Sequence, residues 1–372
     1  MKRELFLFLV GGITILSCDS PDLLQEQDMK NEVSLIRKQR QNPMFSYIES
    51  IKIDNGIDCG SNILIFPSWE KLWETADKLD EMIDMECDIF DASVPDNITD
   101  EEYDILADIV GFDEDNVLVK FEDNLAFCSL RKKVEVLENK WLEFQGEGDW
   151  NVDEDPDNHF IYDETERALF SINTEVIIGE KNTGYVYYKL IDNFNWIEVY
   201  NWDLGAIMQI SKGLMPTNNP NVIVRKTKVN ENSQSSAECK THIKKTQYHQ
   251  YGTNRIKIKS KVINNDFWGA KKISALTVGY KKKNGKWKRA RTRIAAGVTG
   301  SDVTNNSVLY QNCEIVFEKH KVKEKRRRRV KAKIRGHRFD GVSLIIGVKP
   351  QKAYSYHKQG SIDLRLDYYD MY

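Results

Sequence analysis

The chain has 372 residues, with 54 Lys and Arg against 57 Asp and Glu, a formal net charge of −3 and a mean hydropathy of −0.54. That length suits two or three domains with real cores, and outside the first residues no segment is apolar for long enough to cross a bilayer as a helix. The near-neutral total hides a sharp division. Residues 221–372 carry 36 Lys and Arg against 11 Asp and Glu, hence +25, whereas residues 1–220 carry 18 against 46, hence −28.

At the start, Lys2 and Arg3 precede an apolar run from Leu5 to Leu16, the layout of a secretory signal occupying residues 1–17. Ile15-Leu16-Ser17-Cys18 has the form of a bacterial lipobox, cut before a cysteine that is then acylated. Several acyl chains on Cys18 make a stable anchor, so a membrane-tethered cell-envelope protein is expected, on the periplasmic or surface side of the outer membrane. Residues 18–60 are polar and without sustained period, and read as the lipidated cysteine followed by a flexible stalk.

An acidic α/β domain is expected over 61–213. Trp69, Leu72, Trp73, Ala76, Leu79 and Ile83 repeat at helical spacing behind Pro67 and the N-cap candidate Ser68. Thr99-Asp100-Glu101-Glu102 is a capping box ahead of Tyr103, Leu106, Ala107 and Val110, and Gly111 ends that helix. A third helix is expected over 129–144 on Leu130, Val134, Leu137, Trp141 and Phe144. After an acidic linker, "TEVIIGEKNTGYVYYKLI" reads as a hairpin around Asn182-Thr183-Gly184, "NFNWIEV" as a strand, and Asp203 to Ser211 as a short helix ending at Gly213. "LMPTNNPN" carries the strongest linker signals, and residues 214–222 are taken as the boundary.

Beyond it, 223–372 reads as a basic all-β antiparallel domain, a sandwich or barrel, so the whole chain is expected to be α+β. Alternate residues of a strand point to opposite faces. Lys257, Lys259 and Lys261 alternate with Ile256, Ile258 and Ser260; Arg289, Arg291 and Arg293 with Ala290, Thr292 and Ile294; Lys331, Lys333 and Arg335 with Val330, Ala332 and Ile334. Asn284-Gly285 suits a type I′ hairpin turn, and Ile362, Leu364, Leu366 and Tyr368 suggest a closing strand.

The lipobox, "SWEKLWETADKLDEM", "IVGFDEDNVLVKFEDNLAFCSLRKKVE", "DPDNHFIYDETERALFSINTEVIIG" and "YVYYKLID" resemble a set of uncharacterised lipoproteins from Bacteroidetes-type bacteria. The similarity is good from Ile63 to Ile191 and loose elsewhere, and "EKNTG" before "YVYYKL" departs from the pattern. The resemblance implies an envelope location and carries no chemistry.

The nine cations of the three strands form the candidate polyanion-binding face, with lipopolysaccharide phosphates, acidic glycans, extracellular DNA or the chain's own acidic half as partners. Trp287 and Tyr280 stand near the arginines, placed either to stack on sugars or bases or to fill a core. An equally weighted reading gives the cations no ligand: they keep an exposed sheet soluble and discourage edge pairing. In the linker, Asp153, Asp155, Asp157 and Glu164 fall at EF-hand positions 1, 3, 5 and 12, which makes calcium the one cofactor expectation. Asn158 stands where the loop needs glycine and Pro156 stiffens it, so the reading preferred over calcium is an acidic solvated linker. The five cysteines after Cys18 are too scattered for a zinc ribbon or a redox pair and are read mostly as buried apolar residues, at least one of them unpaired.

No GxSxG, HExxH, P-loop or Rossmann motif is present, and the six histidines lack ligand spacing. The preferred expectation is a non-catalytic binding or adhesion module. The alternatives are an envelope glycan hydrolase using carboxylates of the acidic half, and a structural protein whose two halves neutralise each other.

Overall fold

Two short strands, β1 (Glu49–Lys52) and β2 (Asn62–Phe66), open the fold in the computed structural model, which describes residues 43–53, 62–192, 195–226, 242–251, 254–265, 270–300, 319–336 and 354–367. The signal, Cys18 and most of the expected stalk lie outside the described residues. The stalk expectation fails at its end: Phe45, Ile48, Ile51 and Ile53 are buried, and β1 pairs antiparallel with β2.

A long helical crossover follows. Helix α1 (Trp69–Ser93) starts at Ser68, whose hydroxyl accepts from the Lys71 N–H at 3.2 Å. The capping box forms on α2 (Asp100–Val110), with Thr99 and Glu102 exchanging side-chain-to-backbone hydrogen bonds and Gly111 closing the helix at φ 69°. Helix α3 (Asn116–Asn124) was not evident from periodicity, because it is short and has no side-chain cap. Then come α4 (Leu130–Glu143) from its Ser129 cap, two 3-10 turns over Val152–Glu154 and Pro156–Asn158, and the single turn α5 (Glu164–Arg167).

The chain returns as β3 (Glu175–Glu180), β4 (Gly184–Leu190) and β5 (Asn195–Val199), continues through α6 (Leu204–Ser211), and adds β6 (Val222–Lys226). The six strands lie in sequence order, all antiparallel except β2 against β3. A crossover that returns parallel must cover the sheet. Accordingly Leu64, Phe66, Val176 and Ile178 pack under the helices, while Ile63, Ile65, Ile177 and Val199 pack on Ile207 and Ile210 of α6. Because β6 belongs to this sheet through Val199↔Val222, the first unit runs past the linker expected at 214–222.

The C-terminal half is two antiparallel sheets. One contains β7 (His242–Tyr251), β8 (Asn254–Asn265), β9 (Ala270–Lys283), β10 (Lys286–Arg289) and β13 (Arg329–Gly336); the other is ordered β12 (Lys319–Arg327), β11 (Thr292–Gly300), β14 (Tyr354–Gln359), β15 (Ile362–Asp367). Among the described residues they form a sandwich and no closed barrel. Ile256, Ile258, Ala275, Ile294, Ala296, Val298, Val330 and Ala332 are buried, and the Thr277 hydroxyl donates to the Ala295 carbonyl between the sheets at 2.7 Å. Asn284 and Gly285 turn β9 into β10 with φ of 52° and 79°, as a type I′ turn requires.

Candidate functional site

The acidic residues of α1 follow helical spacing. Asp77, Asp80, Asp84, Asp88 and Asp91 are separated by three or four positions, which places them on one face. Opposite that face run β12 and β13, whose alternate residues are cations. Lys333 reaches Asp77 and Asp80 at 2.8 Å each, and Lys331 reaches Asp80 and Asp163 at 2.7 Å. Lys323 pairs with Asp84, Lys325 with Asp88 at 2.7 Å, and Arg327 takes both oxygens of Asp91 at 2.8 and 2.7 Å. The residues at and beside the turn between the strands complete the series: Arg326 binds Asp100, Arg328 binds Asp113, and Arg329 binds Asp115 and Glu164. Eight of the nine cations in 323–335 therefore hold carboxylates of the acidic half; the Arg335 side chain lies outside the described residues.

Deeper in, β8 and β9 meet α4 and the two 3-10 turns. Lys257 is fully buried, with its ammonium 3.1 Å from Glu138, 2.8 Å from Asp155 and 2.6 Å from Asp157. Lys259 donates to the side chain of Asp157 at 2.8 Å and to its backbone carbonyl. Arg167, also buried, bonds Asp157 on its other oxygen at 2.5 Å. Arg289 bridges Glu138 and Glu164, and the Tyr280 hydroxyl donates to Glu138 at 2.8 Å. Arg291 reaches Asp104 at 2.9 Å. An ion pair taken out of water recovers its desolvation cost only when geometry and further hydrogen bonds are good, so such a cluster fixes one docking arrangement more than it adds net stability.

The proton affinities follow the local charge balance. Burial alone would raise the Asp157 carboxyl, yet Lys257, Lys259 and Arg167 hold it well below the carboxylate range. Burial opposes the Lys257 charge as well, but Asp157 and Glu138 hold its ammonium well above the usual lysine range. For Lys259 burial prevails: despite Asp157, and with Lys257 and Arg167 repelling it, the ammonium is pushed down to about 7.

These placements correct the residue-level expectations. Lys257, Lys259, Arg289, Arg291, Lys331 and Lys333 face their own acidic half rather than solvent, and of the nine strand cations only Arg293 is exposed among those whose side chains are described. Lys261 and Arg335 have no described side chain. The strand breaks at Ala290–Arg291, between β10 and β11. Trp287 and Tyr280, at 1% and 0% exposure, are core: they pack with Trp150, Tyr162, Leu276 and Val278, and Arg255 lies over Trp150 and Trp287.

The EF-hand spacing does not make a loop around an ion. Asp155 holds Lys257 and the Tyr248 hydroxyl, Asp157 holds Lys257, Lys259 and Arg167, Glu164 holds Arg289 and Arg329, and Asp153 sits exposed on a 3-10 turn. Among the described residues no group of three or more His, Cys, Asp or Glu is arranged to hold a metal ion. The solvated-linker reading fails equally, since Asp155 and Asp157 are buried. Cys87 is a buried free thiol, as expected, whereas Cys128 is in a disulfide.

Between α1 and the β12–β13 hairpin the seam leaves a cavity of about 370 Å³. Its floor includes Ile83, Cys87, Leu118, Leu276 and Val330, and its walls carry the paired Asp and Lys rows. Sequence reasoning missed the carboxylate stripe of α1 as a functional feature. Its signal was present: helical spacing of Asp on one face, in a half whose charge nearly cancels that of the other.

No family model and no curated protein matches the chain. Among solved structures the chain is similar to a DUF4848 family protein from Bacteroides thetaiotaomicron, with 11% identity over 82% of this chain and 97% of that one and a TM-score of 0.17.

Proposed function

We propose that the protein is a non-catalytic, lipid-anchored component of the bacterial cell envelope, tethered through Cys18, in which the basic sandwich is the internal counter-charge of the acidic half. The observation that carries this reading is the pairing of eight cations of 323–335 with carboxylates of α1, α2 and the segment after α2. A surface whose charges are already engaged in ion pairs offers little net field to an external polyanion. Three buried carboxylates of the acidic half are engaged in the same way: Glu138, Asp155 and Asp157 each hold an ammonium or guanidinium group.

Heparin affinity chromatography of the mature chain tests the reading. The intact protein should elute at low salt, and a triple variant, Asp80→Asn, Asp84→Asn and Asp88→Asn, should be retained to distinctly higher salt because it frees lysines of β12 and β13. Strong retention of the intact protein would mean that the cationic face is open to polyanions. Metabolic labelling with palmitate, abolished by Cys18→Ala, tests the anchor separately.

A further inference from the structure

At the end of the sandwich beside the Asp100–Arg326 pair, the start of β8, the start of β11, Glu324 of β12 and the β14–β15 turn surround a groove of about 490 Å³. Gln359 lines it and is only 3% exposed. Its amide nitrogen donates to the Thr292 hydroxyl at 2.9 Å, while its Oε1 has no hydrogen-bond partner among the described residues. Turning the amide over would let the threonine hydroxyl donate to Oε1 and leave the nitrogen unpaired, so one pole of this buried amide lacks a partner in either orientation. Asn254, across the groove, likewise has a buried Oδ1 without a partner among those residues. Buried amides are normally bonded, and two such atoms lining one groove mark a place where something polar belongs.

We infer that this groove binds a hydroxyl-rich ligand, one or two sugar rings in size. Hydroxyl groups both donate and accept, which suits a mixed set of unpaired amide atoms and charged rim groups. The rim supplies Arg293 and Lys358 as donors and Glu324 as an acceptor, while Asp100 is held by Arg326 and by the Arg293 backbone N–H. Charged groups of both signs stand on the rim, so hydroxyls find donors and acceptors together. Among the described residues no aromatic ring lines the groove, so orientation there rests on hydrogen bonds rather than stacking. The volume falls in the range of small-molecule sites, roughly 300–1,000 Å³.

Saturation-transfer NMR on the mature chain with maltose, cellobiose and N,N′-diacetylchitobiose tests the inference. At least one of these sugars should receive magnetisation. Arg293→Ala and Glu324→Ala alter exposed side chains and should preserve the fold, and each should weaken that binding by about tenfold, as the loss of a charged hydrogen bond does. Absence of transfer to all three sugars would overturn the inference. So would transfer that both variants leave unchanged, because the sugar would then sit elsewhere. A fall in binding to the variants cannot be produced by the failure of the self-neutralising seam, since neither residue belongs to it.

Discussion

Lys257→Met and Lys259→Met are similar substitutions two residues apart on one strand, yet the seam predicts opposite consequences. Lys257 holds three carboxylates, and its ammonium stays charged far above neutrality. Removing one partner from a buried set leaves uncompensated charge and costs about 3–5 kcal/mol. Among the described residues Lys259 bonds Asp157 alone, which keeps Lys257 and Arg167 without it. A fall of its ammonium from 10.5 to about 7 corresponds to an unfavourable burial of the charged form by roughly 5 kcal/mol, at about 1.4 kcal/mol per pH unit. At pH 6, where Lys259 is charged in both the folded and unfolded states, Lys259→Met should therefore be close to neutral or stabilising.

The pH dependence has a definite sign. Between about 7 and 10.5 the unfolded chain binds the proton that folded Lys259 has released, so this group makes stability rise with pH across that window. From pH 7 to pH 9 the wild type should gain about 2–3 kcal/mol relative to Lys259→Met. Thermal unfolding of the mature chain and both variants at pH 6 and pH 9 measures this. Lys257→Met should melt at least about 5 °C below wild type at pH 6. If Lys259→Met is as damaging as Lys257→Met at pH 6, or if its difference from wild type does not change with pH, the charge-balance argument is wrong.

Burial should grade the other pairs. Asp80→Asn, which loosens Lys331 and Lys333, should cost about 2 kcal/mol, and Asp88→Asn, whose carboxylate is 58% exposed beside Lys325, well under about 1 kcal/mol, by chemical denaturation. Burial tends to raise the Asp80 carboxyl, but Lys331 and Lys333 hold it below its ordinary 3.8. Its contribution is thus present above that pH and lost as acid takes the solution lower, an effect absent from Asp80→Asn. The Cys87 thiol, pushed up to about 12 by burial, should resist iodoacetamide at pH 8 in the folded protein and react in denaturant, read by mass spectrometry of its peptide. Gly179→Ala should destabilise by more than about 2 kcal/mol, because φ is +135° and a Cβ would fall 2.0 Å from the Gly184 carbonyl oxygen. Gly111→Ala, strained in φ but with open space, should cost about 1 kcal/mol; paired melting curves compare them.

Much of the local structure was legible because it is encoded within a few residues. The capping box at Thr99, the stop at Gly111, the Asn284-Gly285 turn and the period-two alternation of β8 and β13 each need only neighbouring positions to be recognised. Helix α3 escaped for want of a side-chain cap and of length, and β6 escaped because a strand beside a linker belongs to whichever sheet edge it meets. The candidate calcium loop shows the limit from the other side: carboxylates at the right spacing were claimed by Lys257, Lys259, Arg167 and Arg289, three of which are remote in sequence.

By itself, then, the sequence determined that two oppositely charged halves exist, that one is helical with a sheet and the other all-β, and that strands of the second carry one cationic face. Which way that face turned was left to the tertiary structure. Alternation specifies two sides of a strand without saying what each side meets. Only docking of the α1 carboxylate stripe on β12 and β13, and of Glu138, Asp155 and Asp157 on Lys257 and Lys259, decided that the cations face inward. The physical reason is that buried charge is tolerated only beside its complement, and complementarity across about a hundred or more residues of chain is a property of the assembled fold.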